Sequence, residues 1–290
     1  MMTADPGDII RTWEYHSRIP LEKINSVGLT LRRAILSPDA TLVIACGNDP
    51  TIRAWERSTT KFLRNFHGHT GGVTTVRWIP RTRHLISSGL DSSLIIWNID
   101  SGELLHRFGT ATNAAEVEPK TADDLRLLDG HFTWIRDVVV LPKGDRAISA
   151  GNDSVLFVWD LETTTLTDRL VGHLAVIMAL ALSPDGRFVA SVGNDKAVFV
   201  WQIGGAKILH RWSQPLATPP AVAFSTDGSV LAIGGDDGVI RLIDVQSGDE
   251  MNQLTTEGVA VTSLAFSAES ELVAGCGDGT VRIYELSTAR

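Results

Sequence analysis

Two cysteines in 290 residues cannot build a disulfide framework, and Cys46 and Cys276 both stand in apolar runs. A chain that uses sulfur so sparingly is expected in a reducing compartment, the cytoplasm being the simplest. Long hydrophobic runs are missing too. None approaches the roughly 20 residues that cross a bilayer, and the opening MMTADPGDIIRTWEYH lacks the basic stretch and apolar core of a signal peptide. No membrane partner is therefore expected. Positive charge is in deficit, with 26 lysines and arginines against 34 acids and a formal net charge of −8. That balance argues against direct nucleic-acid binding, whose affinity needs many cationic contacts. Helical periodicity is the last absence: no stretch of ten or more residues shows it.

What the chain does contain is ordinary in amount, with 43% hydrophobic and 21% charged residues, enough for a sizeable core. Its order is the informative part. DPTIRAWE (49–56), DSSLIIWN (91–98), DSVLFVWD (153–160) and DKAVFVWQ (195–202) each place Asp six residues before Trp. DGVIRLID and DGTVRIYE keep the Asp but put Ile243 and Tyr284 at the Trp position, and GDIIRTWE has Gly7 and Trp13. The anchors 13, 55, 97, 159, 201, 243 and 284 are spaced by 42, 42, 62, 42, 42 and 41 residues. One interval carries extra chain, and the others are nearly constant.

Within each period the signals are those of strands. VTTVRW, HLISSG, SLIIW and ELLHRF are rich in β-branched and large apolar residues, with Gly, Pro, Asp and Ser between them. SPDG (183–186) and STDG (225–228) are tight-turn sequences. The third strand of each unit is nearly continuously apolar, as in a small sheet covered on both faces. Four-stranded sheets repeated at this period and stacked radially make a β-propeller.

These residues resemble the WD-repeat propellers, in which a Gly-His pair opens the unit and a Trp-Asp pair closes its third strand. Gly68-His69, Gly130-His131 and Gly172-His173 match the opening, and Trp159-Asp160 the closing; Trp55-Glu56, Trp97-Asn98 and Trp201-Gln202 are variants. The resemblance covers essentially the whole chain. It implies an all-β fold of four-stranded antiparallel blades in one propeller domain, with units at 1–27 (partial), 28–67, 68–108, 129–171, 172–213, 214–256 and 257–290, and an inserted loop at 109–128.

Serine, histidine and aspartate occur together in a way that invites a catalytic reading. His69, Ser87, Asp91 and Trp97 are separated by 18, 4 and 6 residues, and so are His131, Ser149, Asp153, Trp159 and His173, Ser191, Asp195, Trp201. One enzyme needs one triad, whereas three copies at one spacing point to a structural network. The resemblance implies that the Asp accepts from the His ring, with the Ser hydroxyl and Trp indole continuing the chain of bonds. The unit before Trp55 keeps Asp49 but has Ala45 and Val27 at the Ser and His positions, and the units ending at Ile243 and Tyr284 lack the histidine. Those units are expected to be held by packing alone.

Counting strands gives seven third strands but six first and second strands, because nothing upstream of Asp5 is expected to supply them. The seven blade positions, six with inner strands, admit two closures. In the six-bladed one, the last blade borrows PLEKIN (20–25) as its outer strand. In the other, an incomplete seven-bladed ring is completed elsewhere, for instance by strands of a larger parent protein.

The remaining signals are weaker. GCGDGT (275–280) resembles a phosphate loop and GGDDG (234–238) a calcium site, but each joins two strands, so turns are expected. No histidine has metal-ligand spacing, and neither metal nor cofactor is assigned. RWIPRTRHL (77–85) puts Arg81 and Arg83 near Arg77, a basic turn that is either solvated or met by an acidic partner. The 109–131 segment leaves the Gly-His face if ELLHRF is a fourth strand, or the opposite face if DLRLL is. Residues after each Gly-His pair sit at the channel rim, where Phe132, Trp134, Arg136, Leu174 and Val176 are the candidate partner-binding residues, aromatics and arginine being enriched in hot spots. The alternative for Trp134 is a satellite core beneath the inserted loop. The function expected is a non-enzymatic scaffold that binds proteins or peptides. The alternatives are a sensor or regulatory portion of a larger protein, or an enzyme with its site at the central channel.

Overall fold

The computed structural model describes residues 2–5, 9–13, 20–26, 28, 30–109, 120–205, 207–212, 221–267 and 271–286. They form seven antiparallel sheets. The first has three strands, β1 (Met2–Asp5), β2 (Ile9–Trp13) and β3 (Pro20–Asn25). The second is β4 (Leu31–Leu36), β5 (Leu42–Gly47), β6 (Ile52–Glu56) and β7 (Phe62–Phe66); the third is β8 (Val73–Ile79), β9 (His84–Gly89), β10 (Leu94–Asn98) and β11 (Leu104–Phe108). The fourth is β12 (Ile135–Val140), β13 (Arg146–Gly151), β14 (Val155–Asp160) and β15 (Thr165–Val171); the fifth is β16 (Ile177–Leu182), β17 (Phe188–Gly193), β18 (Val198–Gln202) and β19 (Lys207–Trp212). The sixth is β20 (Ala221–Phe224), β21 (Val230–Gly234), β22 (Val239–Asp244) and β23 (Glu250–Thr255). The last has three strands, β24 (Val261–Phe266), β25 (Glu271–Cys276) and β26 (Val281–Glu285).

In every sheet each strand pairs with the next, as tight turns between consecutive strands require. These are β-propeller blades, and six of them begin on an inner strand: β4, β8, β12, β16, β20 and β24. Two expectations about the first sheet are overturned. The residues ahead of Asp5 do supply a second strand, since β1 pairs with β2 from Met2↔Thr12 to Asp5↔Ile9. A hairpin needs only a few connecting residues; here they are 6–8, which lie outside the described residues. PLEKIN is the outer strand of this same sheet, paired with β2 from Ile9↔Asn25, and is not borrowed by the last one.

The backbone divides into two compact units, Met1–Gly151 with Phe157–Thr167, and Asn152–Leu156 with Asp168–Arg290. In the first unit Ile10 and Ile24 pack with Val43, Ala45 and Trp55, while Ile44, Cys46, Phe66, Val76, Ile95 and Trp97 form a second apolar layer. In the second unit Val198, Val200, Val222, Phe224 and Ile233 make one layer, and Ile240, Leu242, Val261 and Leu272 another. The third strands of the third and fifth sheets are buried on both faces: Leu94–Trp97 and Val198–Trp201 lie wholly inside, which is why their sequences do not alternate.

The turn from first to second strand shows why SPD recurs. Ser183 Oγ donates to Asp185 at 2.6 Å and accepts from Phe188 N at 2.9 Å, and Ser225 repeats this with Asp227 and Val230. The turn closes on a left-handed residue, Gly186 (φ 70°) or Gly228 (φ 77°), whereas Ala40 takes that place in the second sheet at φ 55°.

The inserted loop leaves from β11, so Leu104–Phe108 is a fourth strand. DLRLL is no strand: Ala122–Leu125 is one turn of helix, α1. Its cap is reciprocal, Asp124 N donating to Thr121 Oγ1 and Thr121 N to Asp124. Residues 110–119 of the loop lie outside the described residues. Among the described residues no helix is long and apolar enough to cross a membrane.

Candidate functional site

The three Ser-His-Asp-Trp sets lie inside the blades. In the third sheet His69 Nδ1 stands 3.0 Å from both Asp91 oxygens, so the proton is on Nδ1 and is donated to the carboxylate. Nε2 then accepts from Ser87 at 2.7 Å, and Ser87 accepts from Trp97 Nε1 at 2.8 Å. The fifth sheet repeats this: His173 Nδ1 to Asp195 at 3.0 and 2.9 Å, Nε2 to Ser191 at 2.8 Å, Trp201 Nε1 to Ser191 at 2.8 Å. In the fourth sheet His131 Nε2 lies 2.7 Å from Ser149, which accepts from Trp159 at 2.8 Å; Asp153 is buried. Ser87, Ser149 and Ser191 are all fully enclosed at 0% exposure. Each hydroxyl is engaged by its own His and Trp, so it has neither a free base nor room for a substrate. This constellation fixes a fold.

Burial works against ionisation of Asp91 and Asp195. The hydrogen bond from the facing histidine prevails, helped by Thr70 N at Asp91 and Leu174 N at Asp195, and both carboxyls are held below the usual range. The expectation that the units of Asp49, Asp237 and Asp278, which lack the histidine, are held by packing alone is overturned. Asp49, Asp237 and Asp278 each pair with the arginine four residues on: Arg53 at 3.3 Å, Arg241 at 2.9 Å and Arg282 at 3.9 Å. At that position the complete sets carry Ile95, Phe157 and Phe199, and the rings of His131 and His173 lie edge-on to the two phenylalanines at 4.5 Å. Asp also accepts from the backbone N–H two residues on, as Thr51 to Asp49, Ala197 to Asp195, Val239 to Asp237 and Thr280 to Asp278. The turn alone therefore requires Asp, and its other oxygen takes whichever cation or donor the repeat provides. GGDDG and GCGDGT are these turns, with the carboxylates of Asp237 and Asp278 engaged within them.

The residue after each Gly-His pair is displayed. Thr70 N and Leu174 N donate to Asp91 and Asp195 at 2.8 Å, which aims the following side chain outward. In the second unit Leu174 is 82% exposed and Val176 partly buried. In the first unit Phe132 is 40% and Trp134 46% exposed, and the Arg136 guanidinium lies over the Trp134 ring at 5.3 Å. Trp134 is thus half open to solvent; residues 110–119 of the loop under which it would form a satellite core lie outside the described residues. The Trp134 carbonyl presses where a Cβ of residue 151 would stand, so only Gly151 admits it.

A further group was not anticipated. Arg33 on β4 and Arg77 on β8 converge on Asp137 of β12, at 3.9 and 3.3 Å. Thr75 Oγ1 (3.1 Å) and Val138 N (2.9 Å) donate to the same Asp137 oxygen, and Arg77 Nε donates to Val138 O at 3.1 Å. Burial and the charge of Arg33 push the Arg77 guanidinium down to about 10, and burial pushes the Cys46 thiol up to about 12. Arg77 therefore belongs to the inner strands and not to the basic turn. In that turn Arg83 is bound through both Nε and Nη2 by Asp100, so this part of the turn's positive charge is already answered. The signal in the sequence was LRRAIL: two adjacent charges inside an otherwise apolar inner strand.

Comparisons with known proteins agree with the geometry. Residues 60–98, 123–160 and 164–202 match the family described as "WD domain, G-beta repeat", and 217–269 match the "Anaphase-promoting complex subunit 4 WD40 domain". The chain is 30% identical over 157 residues to the CCR4-associated factor 4 homolog of Candida glabrata, covering 53% of this chain and 23% of that protein. It is 33% identical over 124 residues to the nuclear distribution protein PAC1 of Arthroderma benhamiae (42% and 24%), and 27% over 166 residues to the WD repeat and SOCS box-containing protein 1 of Xenopus tropicalis (57% and 35%). The matched segment thus spans between about a quarter and a third of these relatives' lengths. With blades, buried tetrads and repeat matches in register, the chain belongs to the WD-repeat family.

Proposed function

We propose that the chain is a non-enzymatic scaffold that binds protein or peptide partners through the exposed face of its first unit. One contrast carries this reading. The serine of every Ser-His-Asp set is enclosed and engaged by its own His and Trp, while Phe132 and Trp134 are exposed at a strand entry with Arg136 lying over the Trp134 ring. Large aromatic side chains displayed in this way suit a binding surface, since Trp, Tyr and Arg dominate hot spots. The one acid on the inner strands of this unit, Asp137, is tied up by Thr75, Arg77 and Val138, which leaves no acidic pair for catalysis there. Two buried free thiols, Cys46 and Cys276, suit a reducing compartment such as the cytoplasm. A second reading, a regulatory portion of a larger protein, is favoured by the greater length of the relatives.

The test is cross-linking and mass spectrometry to define a partner, followed by titration against Trp134→Ala and Phe132→Ala. Binding is expected to weaken by about 2 kcal/mol with melting temperatures near wild type. Unchanged affinity, or unfolding of both variants, would move the surface elsewhere.

A further inference from the structure

The charge on the inner strands is distributed unevenly. In the first unit β4, β8 and β12 (LRRAIL, VTTVRWI, IRDVVV) carry four arginines against one aspartate, three positive charges in excess. In the second unit β16, β20 and β24 (IMALAL, AVAF, VTSLAF) carry no charged residue at all. The chain as a whole is at −8, so this excess runs against the overall balance.

Two of the arginines occupy a special backbone position. The pairing of inner and second strands slips by one residue between Leu31 and Arg33, between Val73 and Thr75, and between Ile135 and Asp137. The skipped residues are Arg32, Thr74 and Arg136. A bulge re-aims its side chain away from the regular ladder. Arg32 is exposed, with its Nε donating to Asn48 Oδ1 at 2.7 Å. Arg136 is partly buried, and burial together with the charge of Arg32 pushes its guanidinium below the usual range. The Arg33 guanidinium faces Asp137 only at 3.9 Å, beyond hydrogen-bond distance. Asp137 meanwhile is shared with Arg77. Like charges held close together in partial burial are costly unless an anion joins them. A guanidinium lying over an indole is stiffened, and its planar fork matches a carboxylate.

We infer that the first unit is a receptor for an acidic segment of a partner protein, whose carboxylates are taken by Arg32, Arg33 and Arg136 while an adjacent apolar side chain packs on Phe132 and Trp134. This rests on the scaffold reading above and adds the chemistry of the partner. Charge complementarity selects the occupant: Arg32 donates to a neutral amide and Arg33 shares a single carboxylate with Arg77, so an acidic segment is favoured over a basic or neutral one.

The experiment is selection of a displayed library of random twelve-residue peptides on the intact chain, then titration of a synthetic copy of the leading peptide. The selected peptides should be rich in Asp and Glu next to a large apolar residue. Affinity should fall with added salt, and by about tenfold with Arg33→Gln or Arg32→Gln. Arg32 is exposed, so that variant reports on binding even if Arg33→Gln disturbs the fold. Selected peptides without acidic enrichment, or equal binding by both variants, would overturn the charge assignment and leave the scaffold reading standing. Failure to select any peptide would count against both.

Discussion

Asp195 accepts from His173, from Leu174 N at 2.8 Å and from Ala197 N at 3.2 Å. Removing its carboxylate leaves buried donors unsatisfied, so Asp195→Ala is expected to cost about 1–3 kcal/mol. Asp237→Ala breaks a more exposed pair with Arg241 and should cost less, about 1 kcal/mol or under. Urea titrations that gave equal losses would contradict this ranking. The folded-state pKa of Asp195 is depressed below its ordinary 3.8, so its contribution is full above that value and vanishes as pH falls through the folded one. Wild type and Asp195→Ala should therefore converge in stability as pH drops below about 3.8. The tetrads were legible because their spacing recurs without variation. The arginine substitutes were not, since nothing in the order of residues says that Arg53, Arg241 and Arg282 turn back to the aspartate that precedes them.

At the scale of the element, the second sheet contains a turn residue at odds with its backbone. Ala40 sits at φ 55° where Gly186 and Gly228 stand in other blades. The left-handed region costs a non-glycine residue about 1–2 kcal/mol, partly offset by the roughly 0.5–1 kcal/mol of chain entropy that glycine loses on folding. Ala40→Gly should raise stability by about 0.5 kcal/mol, read as a higher urea midpoint with unchanged slope; no rise would mean the turn relaxes without it. Most strands could be read from apolar runs between turn residues. β1 could not, because MTAD has little strand character and is a strand only through its pairing with β2. The bulges were also hidden: they depend on register between two strands, which neither sequence displays alone. α1 had a legible start in the Thr121 and Asp124 spacing, but one capped turn is too short for helical periodicity to reveal.

Over the whole molecule, constant spacing of the anchors identified the repeats, and with them the sheets, because each period must bury its faces against a neighbour. Composition concealed the local arginine excess, which a net charge of −8 averages away. The first unit's core begins with the first sheet, where Ile10 is fully buried against Val43, Ala45 and Trp55. Ile10→Ala should therefore cost about 2–5 kcal/mol, and deletion of residues 1–17 should lower the melting temperature markedly. A deletion that melts like wild type would show that this layer contributes nothing to the unit.

The skipped residue of a bulge belongs to no rung of the ladder, so its identity is decoupled from strand register. Arg32 and Arg136 in the first unit, and Met178 and Thr262 in the second, all occupy such places. Point changes there rewrite what the molecule displays while the hairpins beneath keep their pairing. An engineer could retarget the scaffold one repeat at a time, and a duplicated gene could drift to a new ligand without passing through an unfolded ancestor.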